Sequence, residues 1–138
     1  TSLMEKGAIA EVASYLSQLT PVPRKPLKVH ELTVSADRTL KLAIGNFRIF
    51  GIDPEHFPER NYARTQLVGA AVNFLGLDGL IAPSARWVCD NLMIFDSNHS
   101  LDAKLELSTS KEVLHHEWSS LFEDIEVAEQ RFQGILSL

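Results

Sequence analysis

The chain has 138 residues, 45% of them hydrophobic and 22% charged, enough for one domain with a sizeable core and too apolar for a disordered one. Its formal net charge of −5 argues against a nucleic-acid groove, which needs a basic excess. The apolar runs fall far short of the roughly 20 residues of a membrane span, and a single cysteine, Cys89, rules out an intrachain disulfide and suits a reducing, cytoplasmic setting.

Residues 4–19 read as an amphipathic helix, with Ala8, Val12, Leu16 and Leu19 on one face, Ile9 and Ala13 widening it and Glu11 at its edge. Pro21, Pro23 and Pro26 then hold the chain extended. Residues 27–34 look like a strand, and Leu40, Leu42 and Ile44 alternate as a second, close enough through residues 35–38 to form a hairpin. Gly45, Gly51, Pro54 and Pro58 mark a loop with one helical turn near Phe47. The stretch 62–75 predicts a second helix that turns Leu67, Ala70, Ala71 and Phe74 to the core.

Strands are expected near residues 80–82 and 92–95, and the alternation of Leu101, Ala103, Leu105 and Leu107 predicts another. Thr109 and Glu112 have capping-box spacing. Beyond them Leu114, Trp118, Leu121, Ile125, Ala128, Phe132 and Ile135 recur in a heptad-like seam, which predicts one long C-terminal helix. That seam suits either packing on the domain's own sheet or an interface with a partner.

Metal ligation has little support. His115 and His116 are adjacent and so diverge by about 100° on a helix; His30, His56 and His99 are scattered. Cys89 has no basic neighbour to activate it. Ser84 lies in Ala-Pro-Ser-Ala-Arg rather than in a nucleophile elbow. Taken singly, Glu11 reads as a helix flank, Ser84 as a strand-end hydrogen bonder and Arg86 as either an anion binder or a partner for Asp90.

Several stretches together resemble a known family. They are Thr1-Ser2-Leu3 with Ala8-Ile9-Ala10-Glu11-Val12, Tyr62-x-x-Thr65-Gln66, and the block from Gly79 to Arg86 leading into Asn91-Leu92-Met93-Ile94-Phe95. Across residues 1–96 the order resembles the RES domain, named for an arginine, a glutamate and a serine. The resemblance implies an α/β (α+β) fold similar to ADP-ribosyltransferases, a mixed twisted sheet with flanking helices, followed here by the C-terminal helix.

It also implies a toxin of a bacterial toxin–antitoxin pair that acts on NAD as substrate, without a metal. The nicotinamide–ribose bond would be broken and the ADP-ribose passed to water, phosphate or a protein target. Glu11 matches the family glutamate and Ser84 the family serine; the family arginine and a tyrosine lie upstream of the matching helix. A single RES-type domain over residues 1–138 is therefore expected, its N-terminal part missing and residues 109–138 forming a helical extension.

In the implied site, Glu11 stabilises the ribosyl cation and Ser84 orients NAD. Arg86, with Arg64 as a second candidate, meets the pyrophosphate, and Tyr62 stacks on a flat ring. The partners implied are an antitoxin, a protein target and, through the seam, a homo-oligomer. The alternative is a non-catalytic domain that binds a partner through its C-terminal helix.

Overall fold

The computed structural model describes residues 1–132. Helix α1 (Glu5–Leu16) is followed by strands β1 (Leu27–Val34) and β2 (Thr39–Lys41), a 3₁₀ helix (Ile44–Phe50) and helix α2 (Ala63–Phe74). Strands β3 (Gly79–Pro83), β4 (Asp90–Ile94) and β5 (Leu105–Val113) come next, and helices α3 (His115–Ser119) and α4 (Phe122–Gln130) close the described chain. The strands form two small sheets, an antiparallel β1–β5 ribbon and a mixed sheet in the order β2–β3–β4.

The expected hairpin between the first two strands does not form, because β1 pairs with β5 and β2 runs parallel to β3. A parallel pair needs a crossover, and α2 supplies it. Asp78 turns the connecting segment away from a hairpin. Its Oδ2 accepts the backbone N–H groups of Asp37 and Arg38, both at 3.1 Å, and its Oδ1 accepts from Arg38 Nη2 at 3.2 Å.

The Arg38 amide, the Arg38 guanidinium and the Asp37 amide together hold the Asp78 carboxyl below its ordinary value of 3.8. A depressed carboxyl stabilises the fold above the unfolded-state value and loses that contribution as pH falls through the folded one. The domain is therefore expected to lose stability below about pH 3.8. In Asp78→Asn the loss should already be present at pH 7, with a flatter acid limb, as read by urea unfolding at both pH values.

Two helices present a face other than the expected one. On α1 the buried residues are Gly7, Ile9, Ala10, Ala13, Ser14 and Leu16, while Val12 and Leu19 are exposed. The rotation matters, because Gly7 and Ser14 stand one turn either side of Glu11 and bring it to the buried side. On α2 the core takes Val68 and Val72; Leu67 and Phe74 are 62% and 90% exposed, and Ala70 and Ala71 are exposed too. With Arg64 its one charge, α2 has no polar face from which the buried side could have been read.

At the C-terminus the expected helix is present but shorter and divided. Thr109 and Glu112 lie in β5 rather than in a capping box. Cross-strand hydroxyl contacts hold them there: Thr109 Oγ1 donates to Glu31 Oε2 at 3.0 Å, and Thr33 and Ser108 meet at 2.7 Å. Leu101 and Ala103 precede the strand in a turn. The helical segment starts at His115, where the Leu114 N–H donates to Glu117 Oε2 at 2.7 Å, and breaks between α3 and α4. Ile135, the last position of the seam, lies outside the described residues.

The seam packs inward. One core gathers Ile9, Ala13, Leu16, Val113, Trp118 and Ile125, joining α1 to the C-terminal helices. The other lies between α2 and the mixed sheet, with Leu42, Phe47, Ile52, Val68, Leu80 and Phe132.

Candidate active site

The two acidic and hydroxylic residues of the sequence motif meet across 73 positions. Glu11 projects from α1, and Ser84 follows β3 directly, where the turn to β4 closes with the Ser84 N–H donating to Cys89 O at 2.8 Å. The Ser84 hydroxyl donates to Glu11 Oε1 at 2.6 Å. It also accepts the backbone N–H groups of Arg86 at 3.0 Å and Trp87 at 3.2 Å. A serine hydroxyl has one donor and two acceptor positions. All three are used, and Ser84 is fully buried. The hydroxyl expected to orient a ligand thus has no position left for one, is not among the cavity-lining groups, and holds the Glu11 carboxylate instead.

Asn91, on β4 opposite Ala82, completes the clamp: its Nδ2 donates to the same Glu11 Oε1 at 2.9 Å. The amide orientation is dictated by the carboxylate, which accepts and cannot donate. Glu11 Oε2 has no hydrogen-bond partner among the described residues. Nothing in the periodicity of the sequence marks Asn91; its part follows from the β3–β4 register, which sets it beside Ser84.

Glu11 and Asn91 line a cavity of about 710 Å³, within the range of small-molecule sites. Tyr62, at the start of α2, also lines it and is half-exposed. Arg86 also reaches its wall, with one terminal nitrogen committed to the protein. Only 4% exposed, it donates through Nη1 to Pro58 O at 2.6 Å and to Glu129 Oε1 at 2.8 Å, rather than pairing with Asp90.

Arg64 is placed differently. Its Nε donates to Phe50 O at 2.7 Å, and its terminal nitrogens have no hydrogen-bond partner among the described residues. The guanidinium lies against Gly51, whose φ of 68° favours glycine; a Cβ there would stand 2.6 Å from Arg64 Nη2 and push the guanidinium aside.

The mouth carries a titratable pair. His56 Nδ1 meets Asp53 Oδ2 at 2.9 Å. That hydrogen bond and the Glu59 carboxylate raise the His56 pKa above 6.5, while His56 lowers that of Asp53. Among the described residues no three His, Cys, Asp or Glu side chains gather as a metal cluster.

Comparison with known proteins gives this geometry a family. The model of the RES domain matches residues 1–119, which extends the resemblance past residue 96 to take in β5 and α3. A search of the curated proteins finds no match. Among solved structures, a chain of the M. tuberculosis MbcT–MbcA toxin–antitoxin complex is similar at a TM-score of 0.66 and 16% identity, over 88% of this chain and 67% of that one. The shared fold and a family match over most of the chain point the same way. The chain belongs to the RES family.

Proposed function

We propose that this domain is the toxin of a toxin–antitoxin pair and that it breaks the nicotinamide–ribose bond of NAD, passing ADP-ribose to water, phosphate or a protein. The observation that carries the reading is Glu11: a carboxylate on the wall of a ligand-sized cavity, one oxygen held by Ser84 and Asn91, the other without a partner among the described residues.

Departure of nicotinamide develops positive charge on the ribose, as in an oxocarbenium-like transition state. A fixed carboxylate beside that centre offsets the charge, and its unspent oxygen accepts a ribose hydroxyl. Preorganisation is the point, since Ser84 and Asn91 aim Glu11 before the substrate arrives and no reorientation is needed at the moment of bond cleavage. Tyr62 at the rim offers a face for a planar ring. Arg64, its Nε anchored and its terminal nitrogens without a partner among the described residues, is the cation for the pyrophosphate, while Arg86 Nη1 holds the wall in place.

An antitoxin partner is supported by the toxin–antitoxin complex that this chain resembles in fold. The reading of a non-catalytic domain that binds through its C-terminal seam has less surface to work with, because Trp118, Ile125, Ala128 and Phe132 are buried in the domain's own cores.

The test is incubation of the purified protein with NAD and detection of free nicotinamide by proton NMR. Release supports the reading; none from folded protein overturns it. Arg64→Ala is expected to raise KM for NAD by about tenfold to a hundredfold, the worth of one charge-assisted hydrogen bond, with a smaller change in kcat. An unchanged KM would remove Arg64 from the pyrophosphate.

A further inference from the structure

We infer that α4, which lies beyond the family match, positions the active site through Glu129 and Arg131, so that the C-terminal helix is a working part of the catalytic architecture. The inference rests on the NAD reading for its kinetic consequence and on geometry alone for its structural one.

Two contacts from α4 and the residue after it converge on the turn that carries Ser84. Glu129 Oε1 accepts from Arg86 Nη1 at 2.8 Å, and Arg131 Nη2 donates to the Ser84 carbonyl. Arg86 Nη1 has two N–H bonds, and the second goes to Pro58 O at 2.6 Å. Pro58 belongs to the loop that lines the cavity mouth around His56, Phe57 and Glu59. One nitrogen thus ties together the helix, the Ser84 turn and the cavity wall.

Burial gives the tie its weight. Arg86 is 4% exposed, so its charge depends on Glu129, the carboxylate within reach. Phe132 adds an apolar anchor on the same wall, with ring centroids 5.0 Å from Phe57 and 6.4 Å from Phe47. The Arg86 and Trp87 amides that this turn presents are the ones held by the Ser84 hydroxyl, which in turn aims Glu11. Loosening Glu129 therefore displaces Arg86, then the turn, then the carboxylate. Glu129 and Arg131 are positioning residues; neither is among the groups lining the main cavity.

The experiment compares wild type, Glu129→Ala and Glu129→Gln in the full chain by hydrogen exchange and by steady-state kinetics with NAD. In Glu129→Ala, amides of residues 84–89 and 55–60 are expected to lose protection while the β1–β5 ribbon keeps its own. The expected kinetic signature is a fall in kcat of about tenfold to a hundredfold with a smaller change in KM, as misplacement of a catalytic group produces. Glu129→Gln, which keeps an acceptor for Arg86 but leaves its buried charge unbalanced, should recover only part of both.

Unchanged protection in the two segments, or a uniform loss across the chain, would overturn the inference. So would a kcat equal to that of wild type. If the wild-type protein releases no nicotinamide, the NAD reading fails by itself and the exchange pattern alone decides whether α4 holds the turn.

Discussion

Glu11→Gln is expected to lower nicotinamide release by about a hundredfold to a thousandfold, the usual cost of deleting one preorganised electrostatic contact at a developing charge. The substitution is nearly isosteric. The glutamine carbonyl oxygen can still accept from the Ser84 hydroxyl and Asn91 Nδ2, so the packing of α1 on the β3–β4 turn should survive. What disappears is the negative charge, together with the free acceptor at Oε2, where the amide places a donor. The loss should therefore fall on kcat more than on melting temperature, checked by NMR detection of nicotinamide beside a thermal scan. Turnover equal to wild type would take Glu11 out of the mechanism.

The second large effect is structural. Trp118→Ala is expected to destabilise the domain by about 3–5 kcal/mol, as truncation of a buried aromatic does. Trp118 is fully buried, its ring packs edge-on against Phe122 and His115, and its Nε1 donates to Lys25 O at 3.1 Å. The substitution leaves a cavity between α1 and the C-terminal helices and an unpaired carbonyl as well. Since small domains are stable by only about 5–15 kcal/mol, urea unfolding should show a large fall in midpoint. A change below about 1 kcal/mol would mean that α3 does not dock on α1, and would return the seam to the surface.

Much of the site was legible before the fold. Glu11 and Ser84 stand out through the ordered block around them, and the fold brings the two side chains into a hydrogen bond across 73 residues. Local patterning also placed α1, β1, β3 and β4 closely, because glycine, proline and period-two alternation act within a few residues. Its failures have a common origin. Thr109 and Glu112 satisfy a capping rule locally, yet the ladder to β1 satisfies more backbone groups and cross-strand hydroxyls, so residues 105–113 became strand. Leu67 and Val68 are equally apolar, and only the position of the sheet selects Val68 for the core.

By itself, then, the sequence determined the element types over most of the chain, the family resemblance and the candidate pair Glu11 and Ser84. Tertiary structure decided what those residues touch. It gave Asn91 to Glu11 through strand register, tied Arg86 Nη1 to Pro58 and Glu129, and left the terminal nitrogens of Arg64 without a hydrogen-bond partner among the described residues. The physical reason is that a side chain's spacing along the chain states which direction it faces, whereas its hydrogen-bond partners depend on which distant backbone arrives there.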